Sequence, residues 1–281
     1  IGKWALSSVT TNGSNASGIP GYNIALGFKA LEDMNRTDQT SIYGYNTAIG
    51  ATAGGNLTTG ERNTFLGALV ANTGVVTGNY NTAIGFYSAR DLTDGAENTF
   101  IGAYTGYEIT TGVNNTAIGT YALQNDLDGG KNVAIGHSAL YTNIDGDQNV
   151  AVGMNALYSF EAESDGEGSN TAVGYSAGKF LTTGTANTFV GSVAGLGITG
   201  TKLTGDNNTC VGYAAGYKLQ GDADSNVFIG YKAGQEVTSP DSNTYVGTEA
   251  GTGDSGAPTT GEANTALGYR AGHVLQGAAN N

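Results

Sequence analysis

The chain has 281 residues, 47 of them Gly and only 3 Pro, with 12% charged residues and a formal net charge of −13. Gly without abundant Pro excludes collagen, and regularly recurring Ile, Val, Leu, Phe and Tyr exclude a disordered linker. The 11 Lys and Arg form no basic stripe, so no nucleic-acid partner is expected. No run approaches the ~18 apolar residues that suggest a membrane span. An acidic surface of this kind is ordinary for a soluble extracellular protein. The single Cys210 offers no internal disulfide and reads as a small packed residue rather than a reactive thiol.

Residues 1–22 carry Trp4, Leu6 and Val9, then a polar, turn-rich stretch ending near Pro20. They read as an N-terminal cap or connector to the rest of the chain. No signal-like segment opens the chain at Ile1, which suits a mature form, a fragment or a protein released without secretion.

Residues 23–281 form an array built on one five-residue phrase: Asn, usually Thr or Val, a variable residue, an aliphatic, Gly. Asn46-Thr47-Ala48-Ile49-Gly50 is one copy and Asn264-Thr265-Ala266-Leu267-Gly268 another. The phrase starts at Asn23, Asn46, Asn63, Asn81, Asn98, Asn115, Asn132, Asn149, Asn170, Asn187, Asn208, Asn226, Asn243 and Asn264, fourteen copies mostly 17 or 18 residues apart. Asn280 would open a fifteenth. After each Gly come two variable residues, usually Ala, then Gly or Leu, and then a turn such as Leu181-Thr182-Thr183-Gly184.

Seventeen residues are too few for a two-helix repeat or a propeller blade. They fit one coil of an all-β, parallel β-solenoid with two strands of about five residues and turns between. Coils stacked at about 4.8 Å would give a rod of roughly 65 Å. The Asn column is then expected to form an amide ladder, each side chain bonding to the next. Longer spacers precede Asn46, Asn170, Asn208 and Asn264, the most polar being Glu161–Ser169, and are expected to emerge as loops.

Strand parity puts the second and fourth phrase positions on one face and the third on the other. The near-uniform branched residues of the second and fourth positions suit the interior of a coil. The third position is also apolar, with Phe65, Phe100, Phe189, Cys210, Phe228 and Tyr245 among its occupants. Buried on both faces, the strand would need a second surface, and other copies of the chain are the simplest supply. The third-position residues are therefore expected to form a homo-oligomer interface, which Phe100→Asp should break.

The phrase Asn-Thr-Ala-Ile-Gly with its Ala-Gly and Thr-Thr-Gly sequels resembles the head repeats of YadA-type trimeric autotransporter adhesins, and more closely the related repeat arrays of bacteriophage tail fibres. The resemblance covers residues 23–281. It implies a left-handed parallel β-roll, a homotrimer, a virion-surface or extracellular location, and a host-surface receptor or glycan of unknown identity. The membrane-anchor barrel of the adhesins and the self-cleaving chaperone domain common after phage arrays are not in this sequence. A processed product would lack both.

No enzyme is expected. His137 and His273 occupy ordinary variable positions without companions at metal-ligand spacing, and no serine sits in a nucleophile elbow. The acidic turns Asp145-Gly146-Asp147 and Asp222-Ala223-Asp224 offer oxygen ligands of the kind calcium takes, yet the calcium β-roll pattern does not recur, so no cofactor is expected, with calcium the minor alternative. Three functions remain, in order: a structural fibre protein of a phage or virus particle, a bacterial adhesin or extracellular filament subunit, and an ice-binding solenoid. The last ranks lowest because the phrase Thr shares the parity of the aliphatic expected inside.

Overall fold

The computed structural model describes residues 10–11, 22–36, 44–162, 168–253 and 261–273. It is an all-β parallel solenoid in which every phrase forms one short strand. The chain divides into two compact units, residues 1–132 and 133–281. In the first, β1 (Thr10–Thr11) pairs in parallel with β3 (Asn35–Arg36). Its remaining strands are β2 (Ile24–Leu26), β4 (Thr47–Ile49), β5 (Thr64–Leu66), β6 (Thr82–Ile84), β7 (Thr99–Ile101) and β8 (Thr116–Ile118). The second unit carries β9 (Val133–Ile135), β10 (Val150–Val152), β11 (Thr171–Val173), β12 (Thr188–Val190), β13 (Thr209–Val211), β14 (Val227–Ile229), β15 (Thr244–Val246) and β16 (Thr265–Leu267). Within each unit successive phrases pair in parallel and in strict register, as Ala83 with Phe100 or Cys210 with Phe228. Of the expected cap at 1–22, only Thr10, Thr11 and Tyr22 fall among the described residues. The expected copy at Asn280 and most of the Glu161–Ser169 spacer lie outside them.

Each coil has one three-residue strand, not two strands of about five. The rest is a chain of left-handed corners. One lies just before the phrase Asn, as at Arg62 (φ 58°) and Tyr80 (φ 60°). Two more lie two and four residues after the phrase Gly, as at Tyr121 (φ 61°) and Leu123 (φ 52°). Such a conformation costs a non-Gly residue about 1–2 kcal/mol. The corners are held by amides that donate to the neighbouring coil, as Arg62 N–H to Gly44 O (2.7 Å) and Tyr80 N–H to Glu61 O (3.0 Å). Register between coils thus compensates for the local strain.

The orientation of the strands is the reverse of the expectation. Phe65, Phe100, Phe189, Cys210, Phe228 and Tyr245 are all fully buried inside their own chain, and so are the alanines at the same position from Ala48 to Ala172. The expected oligomer interface at these residues is therefore wrong. They share strand parity with the phrase Asn, which is itself buried from Asn46 to Asn264. The interior of a coil is narrow. It holds the third-position residue, the Ala three places after the Gly and an aliphatic eleven places after the Asn, as Ala172, Ala177 and Leu181. At Asp126 and Asn143 that last position is polar and still buried. Each closes its own turn, Gly129 N–H donating to Asp126 Oδ1 (2.7 Å) and Asn143 Nδ2 to Gly146 O (3.0 Å).

The phrase Gly is required by contact as well as by conformation. At Gly50 (φ 140°) a Cβ would stand 2.1 Å from the Gly67 carbonyl oxygen, and at Gly174 (φ 139°) 2.4 Å from that of Gly191. No side chain fits between backbones stacked so closely.

Candidate functional site

With the third position turned inward, the second and fourth positions face out, and so does the residue after the phrase Gly. The strand therefore presents three parallel columns. The first is mainly Thr, half-buried at Thr47, Thr82, Thr99 and Thr116 in the first unit and at Thr171, Thr188, Thr209 and Thr244 in the second. The second column is entirely Ile, Leu or Val. Leu66, Ile101, Ile118, Val173 and Ile229 keep 36–40% of their surface accessible, a large fraction for aliphatic residues in the middle of a sheet. The third column includes exposed Phe28, Phe86, Met154, Tyr175, Tyr213 and Tyr231. Residues two apart on a strand lie about 6.6 Å apart, so the columns form a strip with a repeat near 4.8 Å along it. Contiguous apolar surface of this extent marks an interaction site more often than a solvated face.

These outward residues are plain in the sequence, where their uniformity suggests an interior. The parity of the Asn is the signal that places them correctly. If Asn forms a buried ladder, its strand-mates at the third position are buried with it.

The Asn ladder is present in a form more specific than expected. From Asn23 to Asn132 and from Asn149 to Asn264, a phrase Asn accepts on Oδ1 the backbone N–H of the next phrase Asn. In the first unit Asn46 N–H donates to Asn23 (2.9 Å), Asn63 to Asn46 (2.8 Å), Asn81 to Asn63 (2.8 Å), Asn98 to Asn81 (3.1 Å), Asn115 to Asn98 (2.8 Å) and Asn132 to Asn115 (2.9 Å). In the second, Asn170 donates to Asn149 (3.1 Å), Asn187 to Asn170 (2.9 Å), Asn208 to Asn187 (2.9 Å), Asn226 to Asn208 (3.1 Å), Asn243 to Asn226 (3.1 Å) and Asn264 to Asn243 (2.8 Å). The Nδ2 groups donate to the turn carbonyl that leads into the next phrase, as Asn63 to Gly78 O (2.9 Å) and Asn187 to Gly205 O (2.9 Å). Direct amide-to-amide bonds occur at some steps, including Asn98 Nδ2 to Asn81 Oδ1 (3.0 Å). The ladder is a structural device, with its donors and acceptors engaged between coils.

The titratable groups among the described residues are engaged in local and inter-coil contacts. His137 Nδ1 lies 3.0 Å from Ser138 Oγ, but Ser138 is only 4% exposed and sits in a left-handed corner (φ 53°). Asp224 of the second acidic turn is used in coil stacking: Asp206 N–H donates to Asp224 Oδ1 (2.6 Å) and Asp224 N–H to Asp241 Oδ1 (2.9 Å). Among the described residues no group of three or more His, Cys, Asp or Glu is placed to hold a metal ion. Cys210 is a buried free thiol whose pKa is pushed far up by desolvation, so the nucleophilic thiolate is disfavoured. Among the described residues no helix is long and apolar enough to cross a membrane. No protein-family profile, curated protein or solved structure matches the chain.

Proposed function

We propose that this chain is a structural fibre protein of a phage or virus particle, a tail fibre or similar, whose copies associate through the outward strip and which contributes to host-surface attachment. The observation that carries the reading is the aliphatic column from Leu66 to Ile118 and from Val173 to Ile229, half-exposed in a single chain. Its occupants are branched and regularly spaced, and the in-register sheet repeats them without a charged residue. A second copy presenting the same columns is complementary by construction, and rotation about an axis along the columns closes the assembly. A trimer is the stoichiometry that the resemblance to phage fibres and trimeric adhesins supports. A bacterial adhesin or filament subunit built in the same way is the alternative, and the coding sequences beside this one would separate the two.

Sedimentation equilibrium tests the association directly. A single species of three times the chain mass is expected. Ile229→Asp, which places a carboxylate in the strip, is expected to raise the dissociation constant at least tenfold while leaving the β-sheet circular dichroism intact. A monomeric parent protein would remove this reading.

One observation favours a second reading. The Thr column faces outward, which removes the objection to ice binding that an inward Thr would raise. Thr47, Thr64, Thr82, Thr99 and Thr116 stand in five consecutive strands, each with an aliphatic two residues on. A monomer showing thermal hysteresis, abolished by Thr82→Tyr, would favour this reading. A trimer without hysteresis would exclude it, because association covers the same strip.

A further inference from the structure

Tyrosines recur in consecutive coils. Of the 16 in the chain, Tyr22–Tyr45, Tyr87–Tyr104, Tyr104–Tyr121, Tyr141–Tyr158 and Tyr213–Tyr231 form stacked pairs between neighbouring copies. The Tyr141–Tyr158 pair is the closest and the most nearly parallel, with ring centroids 5.0 Å apart and planes 2° apart. Both rings are half-buried, so solvent reaches them. Each stands five residues after a phrase Gly, in the turn segment and outside the outward strip. Tyr213 and Tyr231, by contrast, lie on the strip itself. Tyr87, Tyr104, Tyr107 and Tyr121 crowd together, so that Tyr87, Tyr104 and Tyr107 each have more than one candidate partner.

We propose that Tyr141 and Tyr158 are a site of oxidative cross-linking, joined as dityrosine when the protein meets hydrogen peroxide and a haem peroxidase. Each phenol gives one electron and one proton to the oxidant. The two phenoxyl radicals bond through the ring carbons ortho to oxygen. The hydrogens on those carbons then transfer to the oxygens through solvent, restoring both aromatic rings. One peroxide accepts the two electrons and two protons and leaves as two waters. Coupling of two radicals is limited by encounter, and here the coil register has already brought the rings together. Rotation about the side-chain bonds must turn the stacked rings edge to edge, while the coils beneath stay near the strand spacing.

The product would be a covalent staple between neighbouring coils in a chain whose only cysteine is buried. It closes a loop of the unfolded chain and so raises resistance to unfolding by the same argument that applies to a disulfide. The inference does not depend on the fibre reading.

The test is brief treatment of the native protein with horseradish peroxidase and hydrogen peroxide, then proteolysis and mass spectrometry. A peptide linking Tyr141 to Tyr158 is expected, from material that still runs at the 28.4 kDa chain mass under denaturing conditions. Tyr158→Phe and, independently, Tyr141→Phe should each reduce that peptide at least tenfold while leaving other dityrosine products in place. Dityrosine formed only between chains, or only at tyrosines outside this pair, would overturn the proposal.

Discussion

Phe100→Ala is expected to destabilise the first unit by about 3–5 kcal/mol, the usual cost of emptying a buried aromatic site. Adding Gly106→Leu is expected to recover a large part of that loss. Gly106 closes the coil that Phe100 fills, and a Cβ there would stand 2.7 Å from the Phe100 ring. The next coil solves the same packing problem in the opposite way, with Ala117 at the third position and Leu123 at the corner, both fully buried. The corner conformation is nearly the same, φ 56° at Gly106 and 52° at Leu123. The double variant therefore rebuilds one coil in the image of its neighbour. Alone, Gly106→Leu should cost about 1–3 kcal/mol by overpacking against Phe100. Equilibrium denaturation of the four proteins closes a double-mutant cycle, with a favourable coupling of about 1–3 kcal/mol expected for side chains in direct contact. Strict additivity would show that the large and small residues do not share one space.

The same exchange runs through the array. Phe189 is matched by Gly195 in its own coil and Gly178 in the one before, and Tyr245 by Gly251. Coils with Ala at the third position carry Leu at the corner at Leu31, Leu123, Leu140 and Leu157. Where both positions of one coil are small, as at Ala172 and Gly178, the ring of the next coil fills the space, Phe189 packing against Gly178.

That exchange also explains what the sequence revealed and what it hid. The 17-residue spacing of the phrase points to a parallel solenoid because it is too short for a two-helix repeat or a propeller blade, but it does not reveal that each coil has one strand rather than two. Period-2 alternation identified two faces but carried no label for which was inside. Uniform Ile and Val at Ile49, Ile84 and Val190 read as core, while the less uniform but equally apolar Ala, Phe, Cys and Tyr of the third position read as a partner-facing surface. The unevenness was the core, compensated at a corner four residues after the Gly. The corners themselves were hidden because Tyr80, Glu97 and Lys131 have no intrinsic preference for positive φ. Their conformation is imposed by hydrogen bonds to another coil, a cause that lies outside any local window. The aliphatic strip was legible as residues but not as surface, since reading it outward needed the parity of Asn.

Asn208→Ala is expected to be far more damaging than Asn207→Ala, although the two residues are adjacent and chemically identical. Asn207 is exposed and sits in the left-handed corner before the phrase, where Ala186 and Ala263 serve in other coils. Its loss should cost less than about 1 kcal/mol, the range of surface substitutions with modest backbone effects. Asn208 is fully buried and works in both directions. Its Nδ2 donates to Ala223 O (2.6 Å) and to Asn187 Oδ1 (3.0 Å), and its Oδ1 accepts from Asn226 N–H (3.1 Å) and Asn226 Nδ2 (2.9 Å). Truncation to Ala removes the acceptor of a buried amide and the donor to a buried carbonyl, where water cannot readily substitute. At about 1–3 kcal/mol for each group left unsatisfied, the total is about 2–6 kcal/mol. Because each coil rests on its neighbours, the damage should spread along the stack rather than stay in one turn. Hydrogen exchange read by mass spectrometry would resolve this, with protection lost in the coils beginning at Asn187, Asn208 and Asn226 for Asn208→Ala and retained there for Asn207→Ala. Equal protection in the two variants would mean that backbone pairing alone holds the coils together, and that the Asn column adds nothing to it.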